Sequence, residues 1–373
     1  MPVPRDESLD ALNTASDTDH AVSAPLQAEV VAVEVEVGQS VGAGGELVVL
    51  EAMKMHHAVP APSALTVDDV LVRVGDVVEK GQPLLRFTAR DDEGKQTTRR
   101  QVDLDTERPD LVELRDRLAL TLDAQRPAAV AKRHDRGLRT ARENVDDLCD
   151  EGSFQEYGQL IFAAQRRVRP IEELQKTTPA DGLVAGFGTV NAPVFGPQEA
   201  RCAVLAYDYT VLAGTQGLFN HKKTDRVLTV AHKHKTPVIF FCEGGGGRPS
   251  DTDLQDIVAS TLDVHTFATY AACSGQAVRI GIASGPCFAG NAVLFGSSDI
   301  TIATRTAYIG MAGPAMVEAG GLGACRVQDI GPIDVQATNG VVDRVAADEA
   351  EAVGQARQAL SYFQGPVSKW THA

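Results

Sequence analysis

Lys54 stands between Met53 and Met55, in a stretch (residues 47–62) with alternating apolar residues on both sides. A primary amine held out at a turn is a site for covalent attachment. Amide formation there removes the charge and hangs the attached group on a long arm. Two glycine-rich segments offer a different chemistry. "CEGGGGRPSD" (242–251) and "GPCFAGNAV" (285–293) each follow an apolar run. Glycines let main-chain N–H groups approach a ligand closely. Two such loops after successive strands can converge on one oxygen as an oxyanion hole, which stabilises negative charge as it develops. Read from the glycines alone, two sharp structural turns remain the alternative. Neither segment matches GxxxxGK[ST] or a GxGxxG in a βαβ setting, which argues against nucleotide phosphates.

The elements around Lys54 form a repeat. Val33, Val35, Val37, Gly38, Val41, Gly44 and Leu47 recur at an offset of 37 as Val70, Val72, Val74, Gly75, Val78, Gly81 and Leu84. Each half reads as a strand, a glycine turn and a second strand, with alternating valines giving one buried face. Two halves predict a small flattened all-β barrel with internal two-fold symmetry, and the segment between them projects Lys54 outward.

Residues 89–136 are charged and lose this alternation. Leu111, Leu114, Leu118 and Leu122 have helical spacing, with Pro109 placed to start the helix and Pro127 to end it. The segment is expected to be a charged helical linker. From about residue 137, apolar strand-like runs alternate with helical ones, predicting an α/β domain in which both glycine loops follow strands.

Composition narrows the classes. The chain has 373 residues, a net charge of −15 and 43% hydrophobic residues. The acidic balance argues against a nucleic-acid partner, and no apolar run approaches a membrane helix. Residues 1–21 are polar, lack a signal-peptide pattern and are expected to be a disordered tail, which makes the cytoplasm the expected location. Six scattered cysteines without CxxC spacing are expected to be buried thiols, with no metal site. Cys287 has no indicated histidine partner, so it is not expected to be a nucleophile. His221, His232, His234 and His265 read as surface or packed residues. The basic run "HKKTDR" (221–226) makes Lys222 and Lys223 candidates for phosphate contacts, against the commoner reading of a solvated helix face.

"AMKM" (52–55), followed by "PAPSA" (60–64), resembles the tip of biotin carboxyl carrier (biotinyl) domains over residues 22–88. The resemblance implies biotin attached to Lys54 by a biotin ligase that recognises Ala52, Met53 and Met55. Residues 279–310 resemble the crotonase fold, and "TARENVDDLCDEGSFQEYG", "DYTVLAGTQG" and "EGGGGRPSD" resemble the N-terminal half of biotin-dependent acyl-CoA carboxyltransferases, over residues 137–373. Together they resemble single-chain, multidomain acyl-CoA carboxylases.

The implied function is transfer of CO2 from carboxybiotin to the α-carbon of an acyl-CoA through an enolate, with no side-chain base. By the same resemblance, the Gly245 and Gly246 amides, helped by Gly290, hold the enolate oxygen. Gly244, Gly247 and Arg248 join Lys222 and Lys223 as substrate contacts, and Glu243 takes the place of an aspartate in the family pattern. Asn291 interrupts a glycine run of that pattern. Biotin carboxylase and the second carboxyltransferase half are expected on other chains or lost, within a homo- or hetero-oligomer. A biotin-dependent decarboxylase or transcarboxylase component, or a non-catalytic carrier with a vestigial acyl-CoA domain, are the alternatives.

Overall fold

The computed structural model describes residues 20–90, 106–253 and 264–366. Most of the expected N-terminal tail and residues 91–105 of the expected linker lie outside the described residues. The chain divides into two units, residues 1–106 and 107–373.

The first unit is all β: β1 (His20–Ser23), β2 (Ala28–Val33), β3 (Ser40–Val41), β4 (Glu46–Ala52), β5 (Met55–Pro60), β6 (Leu65–Val70), β7 (Val77–Val78) and β8 (Pro83–Ala89). They form two four-stranded sheets, ordered β1-β8-β6-β3 and β5-β4-β2-β7. The repeat maps β2, β3 and β4 onto β6, β7 and β8, residue for residue. The halves are interlocked, since β3 pairs with β6 and β7 with β2. The turn glycines work as a symmetric pair. Gly38 and Gly75 take φ of +84° and +94°, conformations that cost little without a β-carbon. Their N–H groups donate across to the Val67 and Val30 carbonyls at 2.7 and 2.8 Å. Val30, Leu47, Leu50, Leu65, Leu84 and Leu85 fill the core between the sheets.

The second unit is built on a seven-stranded sheet. Its strands are β9 (Gln155–Glu156), β10 (Leu183–Thr189), β11 (Arg201–Tyr207), β12 (Val238–Phe241), β13 (Arg279–Ala283), β15 (Ile300–Thr304) and β17 (Arg344–Ala346). The strands β14 (Pro286–Phe288) and β16 (Tyr308–Gly310) pair separately. The large sheet runs β17-β15-β13-β12-β11-β10-β9. β11, β12, β13, β15 and β17 are parallel, while β10 is antiparallel to its neighbours. Every residue of β12 is buried, as expected for a parallel strand covered on both faces. Val238 and Phe240 pack toward the helix Leu218–His234, whereas Ile239 and Phe241 join the core that includes helices Ala141–Leu148 and Glu349–Ser361. Among the described residues no helix is long and apolar enough to cross a membrane.

The expected linker is corrected in its second half. Pro109 does open a helix (Pro109–Ala119), but Pro127 opens another (Pro127–His134) instead of ending the first. This segment packs onto the second unit. Arg126 pairs with Asp208 at 2.9 Å, and Arg133 forms a two-point pair with Glu243. The segment read as a charged linker because the partners of these two arginines lie 82 and 110 residues away.

Candidate functional site

The β4–β5 hairpin closes on two residues. Ala52 faces Met55 in register, and Met53 and Lys54 between them have φ of +53° and +63°. Such a turn needs positive φ at both central positions, so Asn-Gly is the usual choice. Met and Lys each accept about 1 kcal/mol or more of left-handed strain. Turn stability therefore did not select them. Met53 is 92% exposed and Met55 58%, and Lys54 is exposed between them. An amine standing clear of the barrel, between adaptable apolar side chains, fits covalent attachment of biotin.

In the second unit the two glycine loops meet. The first leaves β12 at Cys242, and the second leaves β13 at Ser284 and runs through β14 into the helix Gly290–Gly296. Gly244 bridges Cys287: its N–H donates to the Pro286 carbonyl at 2.7 Å, and its carbonyl accepts from Phe288 at 2.9 Å. Gly244 is a close-packing position, since a β-carbon there would strike the Gly214 carbonyl and the Asn291 carboxamide.

The amides expected to face an oxyanion are occupied. Gly245 N–H donates to the Ala213 carbonyl at 3.0 Å, and Gly246 N–H to Asn291 Oδ1 at 2.9 Å. Those two assignments are corrected: the hydrogens hold the loop together. The Gly247 and Gly290 amides, like those of Gly285 and Asn291, donate to no acceptor among the described residues. Gly247 lines a cleft of about 500 Å³, together with Gln216, Leu218, His221, Arg248 and Met316. Gly290 abuts the Gln216 side chain.

Two further expectations are overturned. The Arg248 side chain is 2% exposed and engaged by Asp181, Asp251 and the Thr215 carbonyl, so it braces the cleft wall and is not free to hold a phosphate. Lys223 is buried with Nζ donating to the Leu183 carbonyl and facing Glu156. Burial pulls its pKa down to about 8, and it too is structural. Lys222 is exposed on the helix and remains available. His221 lines the cleft with Nδ1 2.9 Å from Thr266 Oγ1, and burial pulls its imidazole below the ordinary range. Burial pushes the Cys287 thiol well up, which suits a packed residue. A second cleft, of about 400 Å³, lies at the other end of the helix Leu218–His234, beside Tyr157, Phe187 and His234.

Three residues of the site went unnominated. Asn291, fully buried, ties the loops together through Gly246 and through the Gly214 carbonyl at 3.3 Å. Its signal was an amide where the resemblance has glycine. Glu243, at the head of the first loop, is held by Arg133 at 2.9 and 2.8 Å. Gln216 bridges Gly247 through its main chain and rests its side chain on Gly290, with no sequence signal of its own.

An exposed lysine tip on a two-sheet barrel, followed by an α/β domain whose first glycine loop lines a cleft, is the architecture of a biotinyl-type domain joined to a crotonase-like domain. Residues 132–372 match the carboxyl transferase domain family and residues 20–87 the biotin-requiring enzyme family. The chain belongs to the carboxyl transferase family, and covalently bound biotin is its cofactor. It is similar to the propionyl-CoA carboxylase beta chain of Saccharopolyspora erythraea, with 29% identity over 63% of this chain and 41% of that one. Likeness to the biotin-dependent long chain acyl-coenzyme A carboxylase beta4 subunit of Mycobacterium tuberculosis is 29% over 68% and 45%. Among solved structures, a single-chain, multi-domain long-chain acyl-CoA carboxylase matches 96% of this chain at 52% identity and a TM-score of 0.68, over 35% of its own length. The chain spans under half the length of these relatives.

Proposed function

We propose that this chain is the carrier and acyl-CoA-binding part of a biotin-dependent acyl-CoA carboxylase. Lys54 is the attachment residue, and Ala52, Met53 and Met55 are what a biotin ligase reads around it. Biotin, when attached, would supply both the carrier for CO2 and the base that takes the α-proton. The rest is the work of the chain's own residues. The cleft beside Gly247 receives the acyl thioester, Leu218 and Met316 exclude water from it, and the amides of Gly247 and Gly290 donate to the thioester oxygen. As the α-proton leaves, charge moves onto that oxygen, and preset N–H donors stabilise the enolate more than the ground state. Lys222 is the cation available to the CoA phosphates. Biotin carboxylase, the second carboxyltransferase half and the ligase are the partners, in a cytoplasmic oligomer.

The observation that carries this reading is the unpaired Gly247 amide in the cleft wall, in a chain that also bears a strained lysine tip. Two measurements test it. Intact mass after co-expression with a biotin ligase should show one biotin on the parent and none on Lys54→Arg. Calorimetric titration of the parent with propionyl-CoA should show binding. An unmodified parent, or no binding of the CoA thioester, rejects the corresponding half.

A further inference from the structure

The cleft holds one polar side chain that this function leaves unused. Gln216 is 4% exposed, yet it lines the cleft. Its main chain is fixed on both sides, with its N–H donating to the Gly246 carbonyl at 2.7 Å and its carbonyl accepting from Arg248 at 2.8 Å. It also bridges Gly247. The side chain lies so close on Gly290 that any β-carbon there would overlap the carboxamide. Nε2 of the carboxamide donates to the Tyr207 hydroxyl at 3.0 Å, and Oε1, which lies over Gly290, has no hydrogen-bond partner among the described residues. Oε1 is not among the buried polar atoms left without a partner, so this end of the carboxamide opens to the cleft, where a polar ligand atom can reach it.

A bound thioester would favour the reverse orientation of the carboxamide. Its oxygen and nitrogen exchange places by a half turn about the last side-chain bond. Burial pushes the Tyr207 phenol well up, so it keeps its proton and can either accept from Nε2 or donate to Oε1. Turned inward, Oε1 would set an electron-rich atom beside an oxygen that gains negative charge. Turned inward, Nε2 would add an N–H where charge develops.

We propose that Gln216 becomes a further hydrogen-bond donor to the acyl thioester oxygen when the thioester binds: the carboxamide makes a half turn, Tyr207 donates to Oε1, and Nε2 turns to the cleft. Gly290 is glycine because the carboxamide needs the space over its α-carbon. This inference rests on the function proposed above. The step moves no proton on Gln216; the side chain stabilises the oxygen as the carbonyl bond gains enolate character.

The test uses the full chain and propionyl-CoA carrying ¹³C at the carbonyl. Isotope-edited infrared spectra of the bound thioester should show the carbonyl stretch at lower wavenumber in the parent than in Gln216→Leu or in Gln216→Glu, whose carboxylate cannot donate. In a measurement that does not depend on how a variant folds, the Gln216 side-chain ¹⁵NH₂ signals of the parent should move on adding propionyl-CoA. In the assembled enzyme, Gln216→Leu should lower kcat by about 100-fold, with KM little changed. A carbonyl stretch identical in all three proteins while thioester is bound overturns the proposal, as do carboxamide signals that stay put under saturation. Failure of the parent to bind propionyl-CoA is a different result, and it rejects the acyl-CoA reading on which the proposal stands.

Discussion

Replacing Arg133 with methionine tests what holds the first glycine loop. Arg133 reaches from the helix Pro127–His134 to the residue that begins the loop, with both guanidinium nitrogens on the Glu243 carboxylate. The two side chains are 8% and 6% exposed, and Glu349 stands 3.5 Å from the same guanidinium. Removing one partner of a buried pair leaves a desolvated charge behind, which costs about 3–5 kcal/mol. For a unit of this size that predicts a loss of about 6–20 °C in Tm.

The penalty should depend on pH. Burial pushes the Glu243 carboxyl above its ordinary range against the pull of Arg133, and without Arg133 it rises further. A carboxyl whose folded pKa exceeds its unfolded value binds its proton better when folded. Its contribution is then fully present below the unfolded pKa and lost as pH rises through the folded one. The deficit of Arg133→Met should therefore shrink as pH falls from neutrality toward about 4. Adding Glu243→Gln should restore most of the loss at neutral pH, because no orphan charge remains. Scanning calorimetry across this range, with hydrogen exchange of β12 at one pH to assign the transition, reads all three effects. A deficit under about 1 kcal/mol, or one that neither varies with pH nor responds to Glu243→Gln, would refute the account of Glu243 as a buried charge held by Arg133.

Met53→Gly should stabilise the first unit by up to about 1 kcal/mol through relief of left-handed strain, measured by thermal unfolding. The same variant should be biotinylated more slowly, because it lacks a side chain that is 92% exposed beside Lys54. Asn291→Ala should cost about 1–3 kcal/mol by orphaning the Gly246 amide and the Gly214 carbonyl, read as a lower urea midpoint at unchanged slope. Lys223 has its pKa pulled below the lysine value to about 8, so its charged form opposes folding. Parent stability should rise with pH from about 8 toward the ordinary lysine range, and Lys223→Met should abolish that rise.

The barrel was legible because its information is local. Alternating valines and paired glycines at a constant offset define each strand and turn, and the structure repeats them in register. The projecting Lys54 followed from the same symmetry. The second unit was legible as layered strands and helices for a related reason: β12 is apolar throughout, β13 is apolar after Arg279, and each runs into glycines. What stayed hidden depends on pairing across distance. Whether Gly246 presents its N–H to a ligand is decided by Asn291, 45 residues on. Arg248 and Lys223 read as free cations because nothing near them in sequence announces Asp181 or Glu156. Pro127 was compatible with either end of a helix, and the ion pairs of Arg126 and Arg133 settled which.

The exchange of short strands in the first unit has a consequence for how that unit comes and goes. Because β3 completes the sheet of the opposite half and β7 does the same in return, neither half owns a finished sheet. A proteolytic cut or a stalled ribosome that released one half alone would yield a fragment with unsatisfied edges and a core cut through its middle. The lysine tip is thus displayed only on a finished barrel. A ligase that requires the rigid Met53-Lys54 turn would in effect be inspecting the whole repeat before modifying it.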